Sequence, residues 1–257
     1  MENSEYIFNE IIKSKKYHHV NHALIRRIVA EETPKYKKDK LVIKSIKNKL
    51  HQCYGAFITP NGNSKTAKLI GNRLYDEILS LHTSTLERKT FYREFYQQIF
   101  AVTGTPKRIM DLACGYNPFS IVYMGLPPGF MYYAYDIDEA VAVLLNRFFQ
   151  QNKYRGLAKT MDLATNSPTE ECDVVFILKF LSLMNQQNSK HSLELLLSLK
   201  ANYLVISFPT KTLTGLNVGM QKSYTGSFNS LIANHFSLIK ELIFSNEIVF
   251  IIQKKQE

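Results

Sequence analysis

Apolar residues recur at three- and four-residue spacing through the first hundred positions. SEYIFNEIIKSK, NHALIRRIVAEE and DKLVIKSIKNKLHQCY all show it, and it predicts amphipathic helices. In the third segment Leu41, Ile46 and Leu50 form the expected apolar stripe, and Lys40, Lys44, Lys47 and Lys49 surround it. A turn cluster, PNGNS, leads into a further helical stretch, KTAKLIGNRLYDEILSLH. Ser84-x-x-Glu87 has the form of a capping box and predicts that a helix opens there. Along that helix Phe91, Phe95 and Ile99, with Tyr92, Tyr96 and Phe100, repeat at i,i+4. This aromatic stripe is expected in a core, not against nucleic acid.

After Gly104-Thr-Pro the period changes. Short apolar runs now alternate with longer segments: KRIMDLA, FMYYAYDID, YRGLAKTMD, CDVVFILK, NYLVISFP, FSLIKELIF and EIVFIIQKK. AVAVLLNRFFQQNK and SKHSLELLLSLK read as intervening helices. The alternation predicts an α/β fold with a doubly wound, mostly parallel sheet, and the last two runs lie close enough to pair antiparallel. The change of period divides a helical domain, 1–104, from a sheet domain, 105–257.

Charge adds a partner to this outline. Residues 1–80 hold 12 Lys and 3 Arg against 6 Glu and 2 Asp, so +7 of the net +10 lies there. A basic first third suits a polyanion, although a solvated lysine-rich surface has the same composition. The three cysteines, Cys53, Cys114 and Cys172, are odd in number and scattered, which fits free thiols in a reducing cytoplasm. Their spacing suggests no metal site. No run is apolar enough for a membrane span, and the first residues lack the pattern of a signal peptide.

Candidate chemistry centres on DLACGYNP, residues 111–118. As the turn after the first strand it is the expected ligand loop, because open parallel sheets bind ligands beyond the carboxyl ends of their strands. Ala113 and Gly115 allow the backbone to approach a ligand closely. Asp136 ends the second strand, where a carboxylate accepts hydrogen bonds from ribose hydroxyls. Asp162 ends the third, placed to meet an adenine amine with Leu163 beside the ring. An adenosine-containing cofactor fits this series. The turn has one glycine where a pyrophosphate wants several, and Asp111 brings a negative charge nearby. S-adenosyl-L-methionine is therefore favoured over a nicotinamide dinucleotide. The fourth run ends in Leu178-Lys179, not in the Asn or Asp with two prolines of exocyclic-amine methyltransferases. Lys179 is either a reach toward RNA phosphate or a solvated strand end.

At these residues the chain resembles the aminoglycoside-resistance 16S rRNA methyltransferases that modify N7 of a decoding-site guanine. KLHQCYGAF (49–57), LHTSTLER (81–88), DLACGYNP, YDID (135–138), the segment from Leu178 to Gln187, and SFPTKTLTG with Gly219-Met220 carry the resemblance. It spreads over nearly the whole chain. Lys222-Ser223 after Gln221 departs from the family pattern. The resemblance implies a Rossmann-like class I methyltransferase fold, a seven-stranded, mostly parallel sheet preceded by a basic helical domain that docks on rRNA. It implies that Phe57, His82, Thr83, Ser84, Arg88, Ala113, Asp136, Asp162, Leu163, Leu178 and Gln187 line the cofactor site. The planar fork of Arg88 suits the methionine carboxylate.

The loop beyond residue 207 is expected to cover the target base, with Met220 against the base and Lys211 and Lys222 on phosphates. Lys40, Lys44 and Lys47 are expected to dock on RNA. Guanine N7 has a lone pair and no proton, so no general base is expected; Lys179 and Met220 are positioning candidates. The implied substrate is 16S rRNA in the assembled 30S subunit, the enzyme a cytoplasmic monomer, and the phenotype resistance to gentamicin- and kanamycin-type drugs. Adenine N1 is the rival target. A noncatalytic RNA-binding protein of this fold is the rival from another class.

Overall fold

The computed structural model describes residues 2–53, 62–210, 226 and 228–255. Three helices open the chain: α1 (Glu2–Ile12), α2 (His22–Glu32) and α3 (Asp39–Cys53). They enclose a core of their own that includes Ile7, Ile11, Ile25, Ile28, Ile46 and Leu50. The stripe of α3 is Val42, Ile46 and Leu50; Leu41 is 48% exposed. The stripe begins at Val42 and not at Leu41, because Val42, Ile46 and Leu50 repeat at four-residue spacing and share one face, which packs in the core with α2. Glu32, buried at the end of α2, ties the two helices together. It accepts from Lys35 (2.7 Å), Lys49 (2.8 Å) and Ser45 (2.6 Å). Burial would raise its carboxyl, but these donors hold it down to about 2.

The next helices are shorter than the sequence pattern predicts. α4 (Gly62–Gly71) and α5 (Tyr75–Leu79) are separated by a break at Arg73, whose φ is +58°. α6 (Thr83–Arg88) and α7 (Tyr92–Thr103) are likewise two helices, not one. The expected capping box does not form. His82 is the N-cap residue of α6, and the Ser84 hydroxyl bonds the His82 ring instead. The aromatic stripe of α7 is core, as expected: Tyr92, Phe95, Tyr96 and Ile99 are buried.

Seven strands follow: β1 (Arg108–Leu112), β2 (Met131–Asp136), β3 (Arg155–Thr160), β4 (Cys172–Leu178), β5 (Ala201–Pro209), β6 (Phe236–Phe244) and β7 (Glu247–Lys254). Helices α8 (Glu139–Gln151) and α9 (Leu181–Ser198) lie between strands. The sheet order is β3-β2-β1-β4-β5-β7-β6. β1 to β5 are parallel, and β7 runs antiparallel to both β5 and β6. The central strands read as continuous apolar runs because both faces are covered. One face packs on α4, α5, α7 and α8. The other packs on α9 and on Phe228, Leu231 and Ile232.

This packing cuts across the boundary at residue 104. Helices α4, α5 and α7 share the core of the sheet, while α1 to α3 keep a separate one. The α1–α3 unit meets the sheet domain beyond β2. Val20 pairs as an antiparallel bridge with Asp138, Asn21 N–H donates to Ile137 O (2.7 Å), and Glu139 N–H donates to His19 O (2.8 Å). Among the described residues no helix is long and apolar enough to cross a membrane.

Candidate active site

β1 ends at Leu112 and the chain then turns through two left-handed residues, Ala113 (φ +51°) and Gly115 (φ +49°). For alanine this conformation costs about 1 kcal/mol, strain of the kind that collects at functional sites. The second strand holds the turn in place. Cys114 N–H donates to Tyr135 O (3.0 Å), and Gly115 N–H donates to Asp136 Oδ2 (2.7 Å). Asp138 N–H donates to the other Asp136 oxygen at 3.0 Å. Burial pushes the Asp136 carboxyl up to about 6, against the pull of these backbone donors. Capping of α8 falls to Asp138, whose Oδ1 accepts from Ala140 N (2.8 Å) and Val141 N (3.3 Å). Asp136 is therefore not a helix cap.

Below the turn, Asp111 is buried within β1. Its Oδ2 accepts from Asn117 Nδ2 (2.8 Å) and from the Tyr132 hydroxyl (2.8 Å). Its Oδ1 is buried and has no partner among the described residues. Burial raises this carboxyl to about 7, although both donors oppose the shift. Asn117 does more than start a turn: its Oδ1 accepts from Tyr92 of α7 (3.1 Å), which fixes the loop to the helical layer.

The 82–88 segment packs over this turn. A β-carbon on Gly115 would lie 3.9 Å from His82 Cε1 and 4.0 Å from Nε2, so the imidazole borders the turn directly. His82 Nδ1 pairs with Ser84 Oγ at 2.9 Å. Burial, with Arg88 and Lys179 nearby, pushes His82 down to about 4, so it is neutral at pH 7. Thr83 is exposed, whereas Thr85 is buried and bonds Leu79 O at 2.6 Å. In this motif Thr85 is thus a structural residue.

Arg88, at the end of α6, is 1% exposed. Its Nε and Nη2 donate to the two Glu247 oxygens, both at 2.7 Å. The fork expected to hold a free carboxylate is engaged by one from the protein. The reason lies in the topology. Because β7 runs antiparallel, its first residue, Glu247, pairs with Pro209 and so sits at the carboxyl end of β5. Lys179 also converges here. It follows Leu178 with a φ of +58°, its Nζ pairs with Glu87, and it lies 3.7 Å from Glu247 Oε2. Its N–H donates to Ser207 Oγ at 3.0 Å. Lys179 is therefore not a free strand-end cation. Burial would raise Glu247, but the charges of Arg88 and Lys179 hold it below the usual carboxylate range.

Asp162 and Leu163 follow β3. Leu163 is buried against the α9 side of the sheet. Asp162 accepts from Arg27 of α2, with Nε at 2.7 Å and Nη2 at 3.3 Å. The structure thus gathers His82, Ser84, Arg88, Ala113, Gly115, Asp136, Leu178 and Lys179 at one end of the sheet. Phe57, Lys211, Met220 and Lys222, and the side chain of Gln187, lie outside the described residues. Lys40, Lys44 and Lys47 are exposed on α3. Glu247 and Arg27 carried no motif; their distance in sequence from their partners hid them. Among the described residues no group of three or more His, Cys, Asp or Glu is placed to hold a metal.

An otherwise parallel, doubly wound sheet with β7 inserted antiparallel between β5 and β6 is the architecture of class I methyltransferases, and the strained turn lies where such enzymes hold their cofactor. The model of the ribosomal RNA methyltransferase (FmrO) family matches residues 13–251, and the chain belongs to that family. Among its relatives is the 16S rRNA (guanine(1405)-N(7))-methyltransferase of Proteus mirabilis, 30% identical over 97% of each chain. That of Micromonospora rosea is 30% identical, covering 95% of this chain and 94% of the relative. Among solved structures, the 16S rRNA methyltransferase RmtF in complex with S-adenosyl-L-homocysteine superposes with a TM-score of 0.91, at 29% identity and 99% coverage of both chains. The 16S rRNA methylase RmtB superposes at 0.87, with 26% identity and 98% of each chain covered.

Proposed function

We propose that this enzyme transfers a methyl group from S-adenosylmethionine to N7 of a decoding-site guanine of 16S rRNA in the 30S subunit. The observation that carries the reading is the convergence of the His82–Arg88 segment on the Gly115 turn and Asp136. The residues present fit the cofactor. Asp136 keeps acceptor capacity for ribose hydroxyls beyond its bonds from the backbone N–H groups of Gly115, Ile137 and Asp138. The unpartnered Asp111 Oδ1 is a buried acceptor suited to an ammonium group. Arg88, with two donors on Glu247 and a further hydrogen bond to Tyr92, keeps about two of its five guanidinium donors for a carboxylate.

S-adenosylmethionine, when bound, supplies an electrophilic sulfonium methyl. The protein's part is to align it with the base. Guanine N7 presents an in-plane lone pair and carries no proton, so the transfer needs no general base. One positive charge moves from sulfur to base and none is created. The work left to the side chains is orientation, which is worth several kcal/mol in a well-held pair. N7 lies on the edge that A-form RNA buries in a deep, narrow groove, which favours extrusion of the base. The cations of α3 serve docking on rRNA phosphates, contacts that position the enzyme without reading sequence. A methyl and a positive charge on that guanine would block gentamicin- and kanamycin-type drugs.

The test is labelled methyl transfer from S-adenosylmethionine to purified 30S subunits, followed by strand cleavage at N7-methylguanine. Label at one decoding-site guanine is the expected result. Label without N7 cleavage would move the target atom, and label in free 16S rRNA alone would remove the assembled subunit as substrate.

A further inference from the structure

The α1–α3 unit reaches both acids assigned to the cofactor. Its 19–21 segment pairs with residues 137–139, directly after Asp136. Its Arg27 clasps Asp162 across 135 residues of sequence. Asp162 is 4% exposed, and its carboxylate accepts three hydrogen bonds: Arg27 Nε on Oδ2, and Arg27 Nη2 and Ala164 N (3.1 Å) on Oδ1. A carboxylate offers about four lone-pair sites, so these bonds leave about one, on Oδ2, in a fixed direction. Arg27 is itself fixed from the other side. Its Nη1 donates to Glu31 at 2.8 Å, and Glu31 accepts from Lys49 of α3 at 3.0 Å. An unbroken run of ion pairs therefore joins the cationic helix α3 to Asp162.

We propose that Arg27 is a positioning residue for the cofactor's adenine: it aims the remaining Asp162 lone pair at the exocyclic amine and so couples cofactor binding to the seating of the α1–α3 unit on RNA. The proposal rests on the reading of Asp162 as the adenine acceptor. Without Arg27 the carboxylate keeps only the Ala164 contact and is free to rotate toward solvent. Two consequences follow. Discrimination for an amine at the purine 6-position depends on Arg27, a residue of the other unit. And because coupling between two ligands is reciprocal, the factor by which cofactor tightens RNA binding equals the factor by which RNA tightens cofactor binding.

The test compares calorimetric affinities of the full-length protein for S-adenosylhomocysteine and for its hypoxanthine analogue, S-inosylhomocysteine. Wild type, Arg27→Ala, Arg27→Lys and Asp162→Asn are measured, each verified as folded by its thermal transition. Wild type is expected to prefer the adenine ligand by about tenfold, the value of one well-aimed hydrogen bond to a charged acceptor. Arg27→Ala should shrink that ratio toward one, and Arg27→Lys should restore part of it. A merely structural role would weaken both ligands alike and leave the ratio unchanged, which would overturn the proposal while Asp162→Asn still lost the preference. A preference unchanged in Asp162→Asn would instead overturn the adenine reading on which the proposal stands. In the same variants, the affinity of 30S subunits with and without S-adenosylhomocysteine should show coupling in wild type and none in Arg27→Ala. Equal coupling in both would remove the link to docking.

Discussion

Replacing Glu247 by Ala should cost far more than losing a surface ion pair. Two hydrogen bonds of 2.7 Å join its carboxylate to Arg88, and both residues are buried. Two unit charges about 4 Å apart attract by about 4 kcal/mol at an effective dielectric constant near 20. Removing one partner leaves the other charge desolvated, a loss of about 3–5 kcal/mol. A domain of this kind has about 5–15 kcal/mol in total, so the variant should lie near the edge of folding at 37 °C. The double variant Arg88→Met/Glu247→Leu leaves no stranded charge and should regain most of that loss. Urea denaturation of wild type, Arg88→Met, Glu247→Leu and the double variant gives the coupling energy from midpoints at constant slope. A Glu247→Ala cost below about 1 kcal/mol, or additive single effects, would refute the buried pair. The pH dependence carries a second signature. Glu247 is held below its ordinary range, so its contribution is complete above about pH 4.5 and is lost as pH falls through the lowered value. The double variant should therefore lose less stability in acid than wild type does. If Arg88 also serves the cofactor, the folded double variant should bind S-adenosylhomocysteine much more weakly, by calorimetry.

Asp111 ionises late, near pH 7, so its burial should lower stability as pH rises from about 4 to 7; Asp111→Asn should flatten that limb in thermal melts. Asp136 should take up a proton near pH 6, and cofactor affinity should fall below that pH in wild type but not in an already weakened Asp136→Asn, measured by titration calorimetry. Gly156→Ala would put a β-carbon 2.5 Å from Phe149 Cγ, a buried ring that cannot yield freely. About 1–3 kcal/mol of destabilisation is expected in denaturant, with the cofactor site unaffected. Lys44→Gln/Lys47→Gln should weaken binding to 30S subunits and reduce its salt slope by about 2, without changing cofactor affinity.

Local chemistry was the legible part of this molecule. The alternation of apolar runs after residue 104 predicts a doubly wound, mostly parallel sheet with an antiparallel last pair, and DLACGYNP with YDID marks one end of that sheet. What the sequence hid depends on contacts between distant segments. Leu41 and Val42 are both apolar, and only packing against α2 decides which is inside. The break between α6 and α7 puts Arg88 at a helix end, where it meets Glu247; a continuous helix was the simpler reading of the same periodicity. Asp162 is another such case. A strand-end acid is readable, but the arginine that holds it belongs to a helix 135 residues earlier.

The pairing of Arg88 with Glu247 also bears on how the protein is made. The two residues are 159 positions apart, and a chain that emerges from its N-terminus has no carboxylate for Arg88 until β7 follows. Until then the nascent sheet domain carries a stranded cation beneath an unfinished rim, and β5 lacks its antiparallel neighbour. Such long-range pairings form late and slow folding. The step that closes the sheet is therefore also the step that gives Arg88 its carboxylate, so a partly synthesised chain lacks the contact that ties the end of α6 to the rim of the sheet.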